Sequence, residues 1–235
     1  MLKLSVLSGK GGVGKTTICV NLAYALRDMG KKIGIMDFDL TGPNVMRAIG
    51  AEESLKLDIT KAKYIPIEHD GIKILSMANL LPQGKALLWE GIRRRGIVKE
   101  FIHAADWTGL DILLADLPPG CGDETLGMME YFVPDGVIIV TTPHSLAYED
   151  YLRAIDMLKL NNTSVIKTVV NMAYFDLKCP HKNCREKKHR ISVFKDNDHS
   201  WENSFEVPFD PLISASNKVD LKELAKLIIE KMVVA

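Results

Sequence analysis

Residues 2–17 of the chain read LKLSVLSGKGGVGKTT. The apolar run at its start predicts a buried β-strand, and the glycines at 9–14 predict a turn. Residues 16–29 then place apolar side chains at helical spacing, and a second apolar run, KIGIMDF, occupies 32–38. A strand, a helix and another strand in such quick succession predict a β–α–β unit, which requires parallel strands joined by a right-handed crossover.

The same alternation continues towards the C-terminus. Further strands are predicted at 72–77, 110–117, 137–142 and 164–171, and further helices at 91–105, 147–160 and 221–232. This pattern predicts an α/β fold: a doubly wound, mainly parallel sheet with helices on both faces. Because composition does not change along the chain, residues 1–235 are expected to form a single domain. The exception is about 176–200, a basic stretch with cysteines and histidines and no apolar periodicity, which predicts an inserted surface loop.

Composition excludes several classes of protein. The 235 residues include 30 Lys+Arg and 30 Asp+Glu, so net charge indicates neither a nucleic-acid partner nor an anionic membrane. Neither a transmembrane run nor a signal peptide is apparent, and four cysteines are too few for a disulfide scaffold. We therefore expect a cytoplasmic protein with reduced thiols, no nucleic-acid partner and no membrane partner.

The glycine-rich turn predicts a nucleotide site. Residues 9–16 match G-x-x-x-x-G-K-[ST], in which glycines allow consecutive backbone N–H groups to face phosphates at a helix N-terminus. Lys15 is expected to contact the β- and γ-phosphates, and the Thr16 hydroxyl is expected to bind Mg²⁺. The candidate nucleotide-binding residues of this turn are Gly11, Gly12, Val13, Gly14, Lys15, Thr16 and Thr17.

A second lysine within the turn indicates a particular class of nucleotide-binding protein. With Lys10, the segment KGGVGKT resembles the deviant Walker A motif of the MinD/ParA/nitrogenase iron protein class. This resemblance implies an ATPase that forms a homodimer around ATP or ADP, with Lys10 crossing to the partner's nucleotide to neutralise charge during hydrolysis. It also implies that Asp39 orients the attacking water. Lys10, Lys15 and Asp39 are therefore the candidate catalytic residues.

Other polar residues follow predicted strands, where side chains face the ligand crevice of such a sheet. The resemblance implies that Asp37 supports the Mg²⁺ shell and that Asp116, at the end of ILLAD, reaches Mg²⁺ through water. It also implies that Asn171 recognises adenine. The segment VPFDP at 207–211, with Pro208 and Asp210, resembles the loop that closes over the base.

Four segments resemble one branch of this class, the Mrp-type (ApbC-like) ATPases that carry iron–sulfur clusters. They are DFDLTGPN at 37–44, LADLPPGCGDE at 114–124, VTTPH at 140–144 and VNMAYF at 170–175. Cys121 stands where that family usually has threonine. The resemblance implies a homodimeric scaffold or carrier that binds and slowly hydrolyses ATP, with apoproteins or cluster donors as partners.

The metal-binding motif of that family is C-P-x-C, whereas this chain has Cys179-Pro and a C-x4-C spacing to Cys184. Two thiolates from each chain of a two-fold dimer would complete a bridging 4Fe–4S cluster. Alternatively, Cys179, His181, Cys184 and His189 offer the mixed sulfur and nitrogen ligands of a Zn²⁺ site. A third interpretation is two reduced surface cysteines without a metal.

A second function remains open. The chain is also compatible with a MinD/ParA-like ATPase switch that positions a protein partner. In that case the cysteine loop binds zinc or no metal.

Overall fold

The computed structural model describes residues 1–39, 42–52, 55–58, 60, 63–76, 99, 101–103, 105–178, 188–193, 200–210 and 218–234. The strands are β1 (Leu2–Leu7), β2 (Ile33–Asp37), β3 (Lys56–Asp58), β4 (Lys63–Ile65), β5 (Ile67–His69), β6 (Ile72–Ser76), β7 (Ile112–Asp116), β8 (Gly136–Thr141), β9 (Val165–Val170), β10 (Tyr174–Lys178), β11 (Lys188–Ser192) and β12 (Ser204–Glu206). The helices are α1 (Lys15–Asp28), α2 (Val45–Ile49), α3 (Asp123–Phe132), α4 (Ser145–Leu160) and α5 (Lys222–Val234).

Eight strands form the central sheet, in the order β12-β9-β8-β1-β7-β2-β6-β5. All neighbours are parallel except β5, which runs antiparallel to β6 at one edge. Chain connections lead away from β1 in both directions, so the strand order reverses there. A ligand crevice opens at the carboxyl ends of strands at such a reversal, which places the site at the end of β1.

Side chains that alternate along each strand build a separate core on each face of the sheet. Leu4 and Val6 pack with α1, α2 and α5, whereas Leu7 packs on the opposite face with α3 and α4. Because both faces are covered, the central strands are mostly apolar, and the few polar residues in them include the buried Ser5, Asp37 and Asp116. The predicted doubly wound α/β fold is confirmed. None of the described helices combines the length and the apolar content needed to cross a membrane.

The basic stretch at about 176–200 is not simply a surface loop, so that prediction was wrong in part. Its flanks form the antiparallel hairpin β10–β11, paired from Tyr174 with Ser192 to Lys178 with Lys188. This hairpin is a two-stranded sheet separate from the main one. Charged residues interrupt both strands, at Asp176 and Lys178 and at Lys188 and Arg190, so apolar periodicity does not detect them. The predicted helix at 91–105 falls largely outside the described residues.

Candidate functional site

The glycine-rich turn connects β1 to α1 in a conformation that glycine favours. Gly12 and Gly14 have φ of +81° and +86°, in the left-handed region where a Cβ is unfavourable. A Cβ on Gly14 would also collide with the side-chain amide of Asn171. The helix begins at Lys15 immediately after this turn, so its first backbone N–H groups face the crevice.

The two residues that begin α1 are bound to the end of β7. Lys15 Nζ lies 2.7 Å from Asp116 Oδ1, and Thr16 Oγ1 donates to Asp116 Oδ2, also at 2.7 Å. The Asp116 carboxylate is fully buried and the Lys15 side chain is 7% exposed. One carboxylate therefore holds the lysine and the hydroxyl that the motif assigns to phosphate and Mg²⁺.

A second buried carboxylate lies on the adjacent strand, where Asp37 is in register with Asp116. Burial, and then the charge of Asp116, raise the pKa of Asp37 from its ordinary 3.8 to about 7. Burial also raises the pKa of Asp116, although the ammonium of Lys15 opposes this. Two acids and one cation share the space beneath the turn.

Asp37 organises the loop that follows β2. Its carboxylate accepts hydrogen bonds from Asp39 N at 3.1 Å and Val45 N at 3.2 Å, at the two ends of that loop. Ser76 Oγ adds a third at 2.9 Å, and Asp39 Oδ1 accepts from Gly42 N at 3.0 Å. Asp37 thus acts on the site through the shape of this loop, and its contribution to a Mg²⁺ shell stays a prediction.

A cavity of about 320 Å³ lies over the turn, and its lining includes most of the predicted residues of the turn together with Asp39. It is lined by Ser8, Gly11, Gly12, Gly14, Lys15, Thr16, Thr17, Asp39, Asn44, Ala48 and Pro119. The sequence reasoning missed Ser8, Asn44, Ala48 and Pro119. Two of these, Asn44 and Pro119, lie in segments quoted above for their family resemblance, and that resemblance was the available signal.

The cavity fits an oxygen-rich ligand with Mg²⁺. Among the described residues the buried Ser8 Oγ has no hydrogen-bond partner, and Ser8 lines the cavity that phosphate oxygens would fill. The hydroxyl of Thr16 and the carboxylates of Asp39 and Asp116 are the hard oxygen donors that Mg²⁺ prefers. Within the described ranges, no group of three or more His, Cys, Asp or Glu side chains is arranged to hold a metal ion. A magnesium ion would thus depend on phosphate oxygens as well.

The other predicted nucleotide residues lie on the far side of the turn. The buried Asn171 donates from Nδ2 to the carbonyl of Val13 at 2.9 Å. The loop after β12 runs beside it, with Pro208 partly buried and Asp210 exposed. The structure therefore brings Asn171 directly against the turn, and base recognition by these three residues stays a prediction.

A second cavity, of about 300 Å³, adjoins the turn on this side. It is lined by Lys10, Gly11, Gly12, Val13, Thr142, His144, Met172, Phe175, Val193 and Phe209. Lys10 therefore lines this mainly apolar space. Asp39 lines the cavity of about 320 Å³ over the turn, which we call the phosphate cavity. Of the three candidate catalytic residues, Lys15 and Asp39 therefore line one cavity and Lys10 lines the other.

The candidate cluster ligands Cys179 and Cys184, with the alternative zinc ligand His181, lie outside the described residues. His189 belongs to β11, and its side chain is not described. The other two thiols are free: Cys19 is buried in α1 and Cys121 is partly exposed. Burial raises the pKa of both thiols, so neither is primed as a nucleophile.

A glycine turn between the first strand and first helix, with its lysine and threonine bound to an aspartate on the neighbouring strand, defines a P-loop NTPase. The family model described as ParA, NUBPL iron-transfer P-loop NTPase, matches residues 2–224. The chain belongs to this family.

Relatives and a solved structure support the assignment. The "Iron-sulfur cluster carrier protein" of Methanocaldococcus jannaschii is 42% identical over 184 residues, which cover 77% of this chain and 62% of that protein. The "Cytosolic Fe-S cluster assembly factor CFD1" of Kluyveromyces lactis is 37% identical over 75% of this chain and 64% of its own. The chain thus spans less than two thirds of either relative.

Among solved structures, a nucleotide-binding protein of Archaeoglobus fulgidus in complex with ADP superposes with a TM-score of 0.74. It is 33% identical, and the match covers 96% of this chain and 87% of that one. The likeness confirms the fold and supports nucleotide binding at the turn.

Proposed function

We propose that this chain is a homodimeric ATPase that carries iron–sulfur clusters, with Cys179 and Cys184 of two chains holding a 4Fe–4S cluster as cargo. One observation carries the proposal: β10 starts just after Asn171, which contacts the phosphate turn, and leads directly into Cys179. The nucleotide site therefore adjoins the start of one short strand, and Cys179 follows the last residue of that strand in the sequence. The names of the relatives support the choice of cargo.

Nucleotide binding begins with an exchange of partners at Lys15. In the structure its ammonium is held by Asp116, so it is already positioned beneath the turn when phosphates arrive. Phosphate oxygens would then replace Asp116 Oδ1 as partners of Lys15, and Thr16 directly and Asp116 through water would hold Mg²⁺. When bound, Mg²⁺ neutralises phosphate charge. Both Thr16 and the turn glycines line the cavity in which this occurs.

Hydrolysis requires one group that orients the attacking water and a cation that stabilises the charge on the transferred phosphate. Asp39 lines the phosphate cavity and orients the attacking water. Lys10 lines the second cavity and not the cavity that contains Asp39 of the same chain. This position supports a role for Lys10 at the partner's nucleotide. There its positive charge stabilises the transition state.

The cargo is tested by analysing iron, zinc and acid-labile sulfide in anaerobically purified and reconstituted protein. We expect about four irons and four sulfides per dimer, as a 4Fe–4S cluster requires, and their loss in Cys179→Ser/Cys184→Ser. The matched control is Cys19→Ser/Cys121→Ser, which removes two thiols elsewhere and should retain the cluster. Zinc without sulfide, or no metal in any protein, overturns the carrier proposal and favours a switch that positions a partner.

The trans role of Lys10 is tested by mixing two inactive variants, Lys10→Ala and Asp39→Ala. A mixed dimer contains one site with Asp39 from one chain and Lys10 from the other. If Lys10 acts in trans, mixing restores ATPase activity, up to about a quarter of wild type for random association of equal amounts. Activity that stays at background while mixed dimers form places Lys10 in cis. Lys10→Arg, which keeps the charge, is the matched control.

A further inference from the structure

A third cavity, of about 720 Å³, lies between α1, α2, the turn from β5 to β6 and the residues that lead into α5. None of the described residues that line it belongs to the glycine-rich turn at 9–14. Ala48 of α2 lines both this cavity and the phosphate cavity, so α2 forms a wall between them. The volume falls within the range of about 300–1,000 Å³ that small-molecule sites occupy.

Hydrogen bonds hold the walls of the third cavity together. The buried Asn21 of α1 accepts from Val219 N at 2.8 Å and donates from Nδ2 to the carbonyl of Thr17, also at 2.8 Å. These bonds attach the segment before α5 to α1. Arg27 Nη1 donates to the carbonyl of Asp70 at 2.8 Å, which attaches the β5–β6 turn to the end of α1. Because the cavity is already formed, a ligand would bind at little cost in ordering the chain.

Three acidic residues line the third cavity, and each is engaged with a neighbour. Asp28 Oδ1 accepts two hydrogen bonds from the guanidinium of Arg27, at 3.0 and 2.6 Å. Asp220 Oδ1 accepts from the first backbone N–H of α5, at 3.1 Å. Burial, and then the charge of Asp70, raise the pKa of the Tyr24 hydroxyl, which is hydrogen-bonded to that carboxylate. The acids therefore serve the walls of the cavity.

Three basic side chains of the same cavity have no such neighbours. Arg47 belongs to α2, Lys218 precedes α5 and Lys222 is the first residue of α5, and all three are exposed. In the part of the chain that the structure describes, none of these three side chains makes a hydrogen bond or an ion pair. Unpaired cations from separate elements that line one concave space favour an anionic ligand.

The lining also contains apolar side chains. Ala25, Ile49 and Leu221 are buried and line the same space as the cations. An apolar surface of this kind is stabilised by contact with carbon and gains nothing from an inorganic anion. Carboxylate or phosphate oxygens, in contrast, accept strong hydrogen bonds from arginine and lysine. The combination fits an organic anion, in which a hydrocarbon part and a charged group are joined.

We propose that the third cavity is a second ligand site, which binds an organic anion that carries carboxylate or phosphate groups on an apolar body. Arg47, Lys218 and Lys222 bind the charged groups, and Ile49 and Leu221 contact the apolar part. This site goes beyond the proposed function, because it involves neither the phosphate cavity nor the cargo.

The test uses phthalate and phenyl phosphate, which place carboxylate or phosphate groups on the same aromatic ring. Binding is followed by NMR through the δ1 methyl signal of Ile49, assigned with Ile49→Val, with Mg-ADP present to occupy the phosphate cavity. We expect at least one probe to shift this signal saturably. A shift with phthalate alone identifies a carboxylate ligand, and a shift with phenyl phosphate alone identifies a phosphorylated one. The neutral phthalamide should have no saturable effect.

The decisive variant is Arg47→Gln/Lys218→Gln, in which probe affinity should fall at least about tenfold, as expected for the loss of a charge-assisted hydrogen bond. The matched control is Lys63→Gln/Lys159→Gln, which replaces two exposed lysines that do not line the cavity and should bind the probe as wild type does. No saturable shift from either probe, an equal shift from phthalamide, or unchanged affinity in the Arg47 variant overturns the proposal. Because these titrations need no cluster, failure of the cargo test leaves their result independent.

Discussion

Lys15 and Asp116 form a buried ion pair with 2.7 Å between Nζ and Oδ1, although 101 residues separate them in the chain. The pair joins the first turn of α1 to the end of β7, beneath the phosphate cavity. Asp116 also accepts from Thr16, so both of its oxygens are satisfied. The same three groups stabilise the site and position it for nucleotide.

Removing the lysine should destabilise the fold as well as abolish nucleotide binding. Lys15→Met leaves the Asp116 carboxylate buried without a cation, which costs about 3 kcal/mol. The free energy of unfolding, measured with urea, should fall by that order. In the double variant Lys15→Met/Asp116→Asn the uncompensated charge is absent, and most of the loss should be recovered. Equal instability of the single and double variants would contradict this account.

Asp37 should make stability depend on pH. Its pKa is about 7 in the fold and 3.8 when exposed, so between these values the folded state retains a proton that the unfolded chain has released. The free energy of unfolding therefore falls as pH rises through this window, and the loss is complete above about pH 7. Asp37→Asn should remove this component. Melting temperatures at about pH 5.5 and pH 8 should then differ less in the variant than in wild type.

Three glycines of the phosphate turn should respond differently to alanine. Gly11 has open space around it and no positive φ, so Gly11→Ala should leave the free energy of unfolding within about 0.5 kcal/mol. Gly12→Ala places a Cβ at φ +81° in open space and should cost about 1 kcal/mol. Gly14→Ala adds a collision with Asn171 and should cost more than about 2 kcal/mol. Urea denaturation gives all three values, and equal costs would refute the interpretation.

The Thr16 hydroxyl should carry the Mg²⁺ dependence of nucleotide affinity. Thr16→Val keeps the shape but removes the donor to Asp116 and the magnesium ligand. Titration of a fluorescent ATP analogue with Mg²⁺ and with EDTA should show at least a tenfold difference in wild type and less than about threefold in Thr16→Val. Thr16→Ser keeps the hydroxyl and should behave as wild type. A Thr16→Val protein with full Mg²⁺ dependence would remove Thr16 from the metal site.

The sequence predicts the strands that are buried along their whole length and the turn whose shape depends on local backbone geometry. β7 and β8 are buried along their whole length, so a continuous apolar run was enough to find them. The phosphate turn was predictable because its glycines and lysines act through local backbone geometry. Both depend on neighbours within a few residues, which a sequence displays directly.

Features that depend on distant partners were not predictable in this way. The support of a Mg²⁺ shell by Asp37 stays a prediction, whereas its hydrogen bonds with Asp39, Val45 and Ser76 were not predicted. Its bond to Ser76 exists because β2 and β6 are neighbours, which spacing along the chain does not reveal. The β10–β11 hairpin was not predicted for a related reason: pairing between distant residues defines it, from Tyr174 with Ser192 to Lys178 with Lys188.

The position of β1 between β7 and β8 has a consequence for how the protein is made. Both edges of the first strand are paired with segments that begin at Ile112 and Gly136. At about 5–20 residues per second, a ribosome takes several seconds or more to supply the first of these partners. During that time an apolar strand and the attached turn wait without their final neighbours. The nucleotide site is therefore completed only after these later segments have been synthesised, although Lys15 precedes Asp116 by 101 residues.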